Sequence, residues 1–246
     1  MNELNNKHEQ QVHLYLGLDL GKRRDYSALA IVEYRRQWNL ERNHVSWTMD
    51  PVDEETRFSV RQLKRIPLGT KYTDVAETVQ RLLQRITKKY DCTLVVDATG
   101  VGQPVVEMFY AMPPRATMVP VVITGAGSES KVRDEWRVPK QDLISGLQIM
   151  LETEQLSIAQ DLTFAPALLE ELVEMQSVNG RSAEAGAGEH DDLVIAVALA
   201  TWRARRFSSI PKGPSIGFRN NAFGESLYSV GSSPSGWPNT KGRRTE

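Results

Sequence analysis

Three short apolar segments of this chain each carry an aspartate at one edge. Asp19 closes LYLGLD, Asp97 closes TLVVD, and the pair Asp191 and Asp192 opens the run DDLVIAVALA. Apolar segments of this length form the buried strands and helices of a core, and polar groups at their edges can face a common cleft. The sequence therefore predicts a core that brings at least three acidic sites together.

Composition restricts the class of protein. The chain has 246 residues, of which 40% are hydrophobic and 25% charged, which is typical of a globular protein. The formal net charge of −1 provides no general basic field, so any contact with nucleic acid must come from local patches. The one cysteine, Cys92, excludes an intrachain disulfide and a cysteine-ligated zinc site, and it fits a reducing compartment. No run approaches the roughly 20 apolar residues that span a bilayer, so we expect a soluble, intracellular protein without a membrane partner.

Hydrophobic periodicity predicts an α/β protein with a mixed sheet. Leucines alternate through residues 14–20, and the short connection GKRRDYS predicts a hairpin with the following strand. The acidic residues 49–56 are expected to form a loop before the third strand. The predicted strands cover residues 14–20, 28–34, 58–68, 93–97 and 119–124. We expect the first three to be antiparallel and the later ones, which alternate with helices, to be parallel.

The helical predictions rest on apolar stripes and capping residues. Thr73 is placed to cap a helix that runs through residue 86. The helix of residues 191–206 is apolar all round from Leu193 to Ala200, which indicates burial. Further helices are predicted up to residue 112 and over residues 140–154 and 165–176. We expect one folded domain over residues 13–207, between a disordered leader (1–12) and a disordered tail (208–246).

Each aspartate also has a structural interpretation. Asp19 can cap the turn at Gly21, Asp97 can accept backbone hydrogen bonds from the turn after it, and Asp191 or Asp192 can stabilise a helix N-terminus. A buried helix, however, carries its first turn into the interior, where acids need a partner. No buried lysine or arginine is evident in these segments, so a metal ion is the natural candidate. An all-oxygen donor set favours Mg²⁺ or Mn²⁺ over zinc.

Four motifs in order resemble a known class of enzyme. The segments GLDLGKRRDYSAL, VVDATGVGQPVVEMF, VPKQDLISGLQ and GEHDDLVIAVALATW are similar to the nuclease domain of phage terminase large subunits, in the RNase H-like or retroviral-integrase-like superfamily. The similarity covers roughly residues 14–206. It implies an RNase H-like α/β fold in a phage-encoded or prophage-encoded protein of the bacterial cytoplasm.

The resemblance also implies site residues. It assigns catalysis and metal binding to Asp19, Asp97 and Asp192, with Asp191 taking or sharing the third role, which the helical periodicity leaves open. Two Mg²⁺ or Mn²⁺ ions, roughly 3.5–4 Å apart, would then hydrolyse a DNA phosphodiester bond, with Asp19 bridging the ions.

Basic residues near these acids are candidate DNA contacts. Lys22, Arg23 and Arg24 follow Asp19 directly, and Lys140 begins a predicted helix. A solvated surface is the alternative interpretation for all four.

The chain departs from complete terminases in two respects. Ile195 stands where many relatives carry a further acid, and the sequence contains no G-x-x-x-x-G-K-[ST] loop, so a separate packaging ATPase or portal is the expected partner. Two other functions stay open at this point. GLDLG followed by a hairpin also resembles the phosphate loop of sugar kinases and actin-like ATPases, and a catalytically silent DNA-binding or packaging scaffold could keep the fold.

Overall fold

Eight strands form one mixed sheet that is covered by helices on both faces. The computed structural model describes residues 7–21, 25–42, 49–178 and 191–208. All of these lie within one compact unit, Met1–Ser208. The strands are β1 (Lys7–Asp19), β2 (Ser27–Arg42), β3 (Met49–Ile66), β4 (Asp91–Asp97), β5 (Thr117–Thr124), β6 (Ser130–Val132), β7 (Glu135–Pro139) and β8 (Leu156–Ile158). The helices are α1 (Tyr72–Ile86), α2 (Gly102–Ala111), α3 (Lys140–Glu152), α4 (Ala165–Val178) and α5 (Asp192–Ser208).

The sheet changes from antiparallel to parallel at β1. Its strand order is β6-β7-β5-β4-β1-β2-β3-β8. Strands β1, β2 and β3 pair antiparallel, whereas β4 pairs parallel with both β1 and β5. The α/β fold that the motifs imply, with three antiparallel strands followed by parallel strands and flanking helices, is confirmed.

Two apolar layers cover the two faces of the sheet. Leu16 and its alternating neighbours pack under α1 and α2, whereas Tyr15, on the opposite face of the same strand, packs in the layer built by α3, α4 and α5. Every residue of α5 from Asp192 to Trp202 is buried, as the apolar sequence predicts. Strand β1 is therefore enclosed on both faces, and the carboxylate at its end is held by a rigid element.

Several predicted boundaries were wrong. Strand β1 begins at Lys7, so residues 7–12 belong to a strand and not to a disordered leader. Residues 49–56 lie in β3 and pair with β2, and they form no loop. Thr73 does not cap α1, which begins at Tyr72 after Lys71. The predicted tail falls almost entirely on residues 209–246, which lie outside the described residues, although α5 continues through Ser208.

No described helix combines the length and the apolar composition that a membrane span requires.

Candidate metal centre

Asp19 and Asp97 end two adjacent strands at the same edge of the sheet. Strands β1 and β4 run parallel, with Leu18 opposite Val96, so the next residue of each strand is one of these aspartates. Both follow the alternation that directs side chains to the face covered by α5. Their carboxyl groups share a hydrogen bond. The structure thus brings together two of the three acidic sites that the sequence predicts.

The turn after Asp97 holds its carboxylate in place. The Thr99 backbone N–H donates to Asp97 Oδ1 at 2.8 Å, and Thr99 Oγ1 in turn accepts the Ile123 backbone N–H at 2.8 Å. Asp97 therefore accepts a backbone hydrogen bond from the turn after it, as the sequence predicts. The second oxygen of its carboxylate takes no part in that bond. Burial raises the pKa of Asp97, while the two contacts with Thr99 act in the opposite direction.

A close contact between α5 and β1 brings the third acidic site to the same edge. A Cβ at Gly17 would lie 1.9 Å from the Ala196 backbone oxygen, so only glycine permits this approach. Asp19 lies two strand residues beyond Gly17, about 7 Å along β1. Asp192 lies about one helical turn, roughly 6 Å, before Ala196. Because these distances match and the charges of Asp191 and Asp192 both act on Asp19, the first turn of α5 lies beside Asp19.

The two acids of this pair have different partners. Lys140 Nζ donates to Asp191 Oδ2 at 2.5 Å, and Arg65 Nε donates to Asp192 Oδ2 at 3.0 Å. The Asp191 side chain is 27% exposed, whereas the Asp192 side chain is only 4% exposed. The segments that carry these acids contain no basic partner of their own, but Arg65 reaches Asp192 from β3 and Lys140 reaches Asp191 from α3.

Glu171 of α4 completes this cluster. Arg65 Nη2 donates to Glu171 Oε1, and Glu171 Oε2 accepts the Val194 backbone N–H at 3.0 Å. That N–H belongs to the first turn of α5, where helical donors lack an intrahelical partner. Burial raises the pKa of Glu171 to about 7. Neither Arg65 nor Glu171 was predicted as a site residue, although an acid on the apolar stripe that contains Leu168 is a signal of a buried partner.

Burial and repulsion among carboxylates both disfavour negative charge at Asp19. Burial raises the pKa of Asp19 well above its usual range, and the negative charges of Asp97, Asp191 and Asp192 raise it further, in that order. Within the described residues, neither Asp19 nor Asp97 forms an ion pair. A cation placed here would relieve the repulsion.

The donor chemistry fits a hard divalent cation, but the side chains face other partners. Among the described residues, no three His, Cys, Asp or Glu side chains stand close enough together to hold one ion. The physical reason is that Lys140 and Arg65 engage two of the four carboxylates, while Asp19 and Asp97 face each other. The four carboxylates supply only oxygen donors, the type that Mg²⁺ and Mn²⁺ prefer. Loading of the site requires a cationic side chain to leave.

The predicted DNA contacts divide into two groups. Lys140 lies at the site, because its ammonium group pairs with Asp191 and also lowers the pKa of Asp97 electrostatically. Lys22, Arg23 and Arg24 lie outside the described residues. Among the described residues that flank them, Ser27 Oγ accepts the Gly21 backbone N–H at 3.2 Å.

Comparison with protein-family models gives no match, and comparison with curated proteins gives none. Solved structures with a similar fold include the large terminase nuclease of the thermophilic phage G20c with bound zinc. The match is 21% identical, covers 78% of this chain and 81% of that chain, and has a TM-score of 0.45. The human cytomegalovirus terminase nuclease domain is 14% identical over 82% of this chain and 86% of that chain, with a TM-score of 0.42. The fowlpox virus Holliday junction resolvase is 12% identical over 79% of this chain and 99% of that chain, with a TM-score of 0.33.

Proposed function

We propose that this chain is a divalent-metal-dependent DNA endonuclease of the terminase nuclease type. The observation that carries the proposal is the convergence of Asp19, Asp97 and the pair Asp191 and Asp192 at one edge of the sheet, from two strands and a helix. A protein does not collect four carboxylates in a partly buried site without a compensating function, because their mutual repulsion destabilises the fold. The motif resemblance supplies the substrate class.

Two Mg²⁺ or Mn²⁺ ions, held by Asp19, Asp97 and the acidic pair of α5, fit this donor set. Such ions polarise a phosphate and lower the pKa of bound water, which is the chemistry that phosphodiester hydrolysis needs. The chain's own contribution is orientation. Thr99 fixes one side of the Asp97 carboxylate, and the contact of α5 with Gly17 fixes the spacing of the acidic pair from Asp19.

Lys140 is the basic residue best placed to contact the DNA backbone in this proposal. Its side chain is 42% exposed while its ammonium group lies among the acids. In this proposal the Lys140 ammonium group would exchange its contact with Asp191 for one with a DNA phosphate. Lys22, Arg23 and Arg24 keep their proposed role as backbone contacts, and a separate packaging motor keeps its role as the proposed partner.

The first test is cleavage of supercoiled plasmid in Mg²⁺ or Mn²⁺. The wild-type protein should nick or linearise the plasmid, and EDTA or the substitution Asp19→Asn should abolish cleavage while DNA binding persists. Asp91→Asn is the matched control, because Asp91 is exposed at the opposite end of β4, about 20 Å from Asp97. Cleavage that survives EDTA, or that survives Asp19→Asn, would contradict the proposal.

A catalytically silent DNA-binding scaffold is the second candidate, and one observation favours it. Lys140 and Arg65 already neutralise Asp191 and Asp192, which is also how a retired metal site would be stabilised. Calorimetry with Mn²⁺ separates the two functions. Heat of binding that disappears in Asp19→Asn supports the nuclease, whereas DNA binding without metal binding or cleavage supports the scaffold.

A further inference from the structure

The two adjacent acids of α5 differ in every property that decides whether a carboxylate can bind a metal. Asp192 is 4% exposed, and both of its oxygens face Arg65, Oδ2 at 3.0 Å from Nε and Oδ1 at 3.4 Å from Nη2. Asp191 is 27% exposed and has a single cationic partner, Lys140. A guanidinium fork that reaches both oxygens is hard to displace, whereas a lysine ammonium group is a mobile point charge.

The partner of Asp192 is itself locked in place. The Arg65 side chain is 19% exposed, and its Nη2 also donates to the buried Glu171. Tyr26 adds a third contact, because the Arg65 guanidinium lies 5.3 Å from the centre of its ring. Withdrawing Arg65 would leave two buried carboxylates without a cation, which is strongly unfavourable.

Glu171 takes over the helix-capping role that the Asp191 side chain would ordinarily have. Asp191 precedes α5, and its carbonyl accepts the first helical hydrogen bond, from Ile195 N–H at 2.9 Å. The side chain of a residue in this position ordinarily accepts a backbone N–H from the first turn. Here Glu171 accepts the Val194 N–H, and the Asp191 carboxylate is directed to Lys140 instead.

The position of Lys140 marks the place of a cation among the remaining acids. Its ammonium group contacts Asp191 and acts electrostatically on Asp97. Asp191 therefore shares its cationic neighbour with Asp97, whereas both oxygens of Asp192 face Arg65.

We propose that Arg65 and Glu171 are positioning residues that hold Asp192 out of the metal site, so that Asp191 is the acid of α5 that binds the metal. This inference rests on the proposed function and deepens it by dividing the roles of the acidic pair. Asp192 then fixes the first turn of α5, and through that turn it fixes Asp191.

The test measures Mn²⁺ affinity by calorimetry and urea unfolding in EDTA for each variant. Asp191→Asn should weaken Mn²⁺ binding tenfold or more with little loss of metal-free stability. Asp192→Asn should weaken Mn²⁺ binding less than Asp191→Asn does, and it should raise the unfolding equilibrium constant on the order of a hundredfold, because it breaks a buried pair. Asp142→Asn is the matched control, since Asp142 is an exposed acid in the first turn of α3.

Variants of Arg65 provide a measurement that a merely structural role of this residue would not change. In an Arg65→Gln background Asp192 loses its cation and becomes available as a ligand, so Asp191→Asn should weaken Mn²⁺ binding much less than it does in the wild type. Arg65→Lys should fail to restore the wild-type result, because lysine lacks the fork that engages Asp192 and Glu171 together.

Two outcomes overturn the inference, and they have different consequences for the proposed function. If wild-type protein binds Mn²⁺ and Asp192→Asn abolishes binding while Asp191→Asn does not, the division of roles is wrong and the proposed function stands. If wild-type protein binds no Mn²⁺ at all, the proposed function fails and this inference fails with it.

Discussion

At the scale of single residues, Asp19 is a proposed metal ligand whose negative charge is disfavoured by its surroundings in the metal-free fold. Burial and three neighbouring carboxylates all disfavour its ionised form. Stability and activity are commonly opposed in this way at active sites. A neutral side chain of the same shape should therefore suit the metal-free fold better than the natural residue.

We predict that Asp19→Asn increases the free energy of unfolding of the metal-free protein by about 0.5–2 kcal/mol, because it removes a charge that its neighbours repel. Urea unfolding in EDTA at neutral pH measures this. Asp91→Asn, an exposed carboxylate on β4, should change stability by less than about 0.5 kcal/mol. A destabilised Asp19→Asn variant would show that this carboxylate is structural.

At the residue scale, the sequence predicted the acidic residues of the candidate site but not their basic partner. Asp19, Asp97 and the acidic pair were identified because each stands at the edge of an apolar segment, and periodicity reports such edges. Arg65 was missed because its partner Asp192 is 127 positions away in the chain. No local pattern encodes that pairing, since the close packing of α5 on the sheet creates it.

At the scale of elements, the contact of α5 with β1 determines the geometry of the site. Gly17 permits the helix to approach the strand, with its Cα facing the Ala196 carbonyl. The existence and the direction of both elements follow from the sequence, but the requirement for glycine appears only when the two are packed together.

Gly17→Ala should therefore disturb both the fold and the site. We expect a loss of about 3 kcal/mol, at the upper end for overpacked interiors, because the new methyl group meets backbone atoms that cannot rotate away. We also expect weaker Mn²⁺ binding, since α5 must move from Asp19. Gly125→Ala is the control, as its Cβ would meet no atom within 4 Å. Equal stability of the two variants, measured by urea unfolding, would contradict the proposed packing.

The long strands illustrate why element boundaries were mispredicted. Residues 7–12 and 49–56 are polar, so their periodicity gave no strand signal, yet both pair with β2. Backbone ladders stabilise them, together with cross-strand pairs such as Arg36 with Glu54. Strands of three residues, such as β6 and β8, are too short to carry a pattern at all.

Strand β1 should show this difference in its dynamics. Residues 13–18 pair with both β2 and β4, whereas residues 7–12 pair with β2 alone. We predict that amide hydrogen exchange is slowest for residues 14–18 and distinctly faster for residues 7–12, because strands with one neighbour open locally at lower free energy. Exchange measured by mass spectrometry on peptides of β1 tests this. Uniform protection along β1 would mean that the strand opens as one unit.

At the scale of the whole molecule, one sheet separates two apolar layers, and the candidate metal centre lies at an edge of that sheet. The layer of α1 and α2 contains Cys92, and the layer of α3, α4 and α5 contains Val60. Alternate residues of the same strands belong to different layers, so neither layer can be lost while the other keeps its full set of contacts. This arrangement predicts that both layers unfold together.

Thiol labelling can test that prediction, because Cys92 is buried and burial raises its pKa to about 11, so the folded protein should resist alkylation at pH 8. A second protein, Cys92→Ala with Val60→Cys, places the single thiol in the opposite layer. For each protein, the urea midpoint of thiol labelling should equal the midpoint of global unfolding of that same protein. The two thiols should therefore agree after this correction for the stability of each variant. Ser130→Cys in the Cys92→Ala background is the exposed control and should react without urea. Labelling of one layer well before the other would mean that the sheet does not couple them, and the acids would then rest on a scaffold that can open on one face.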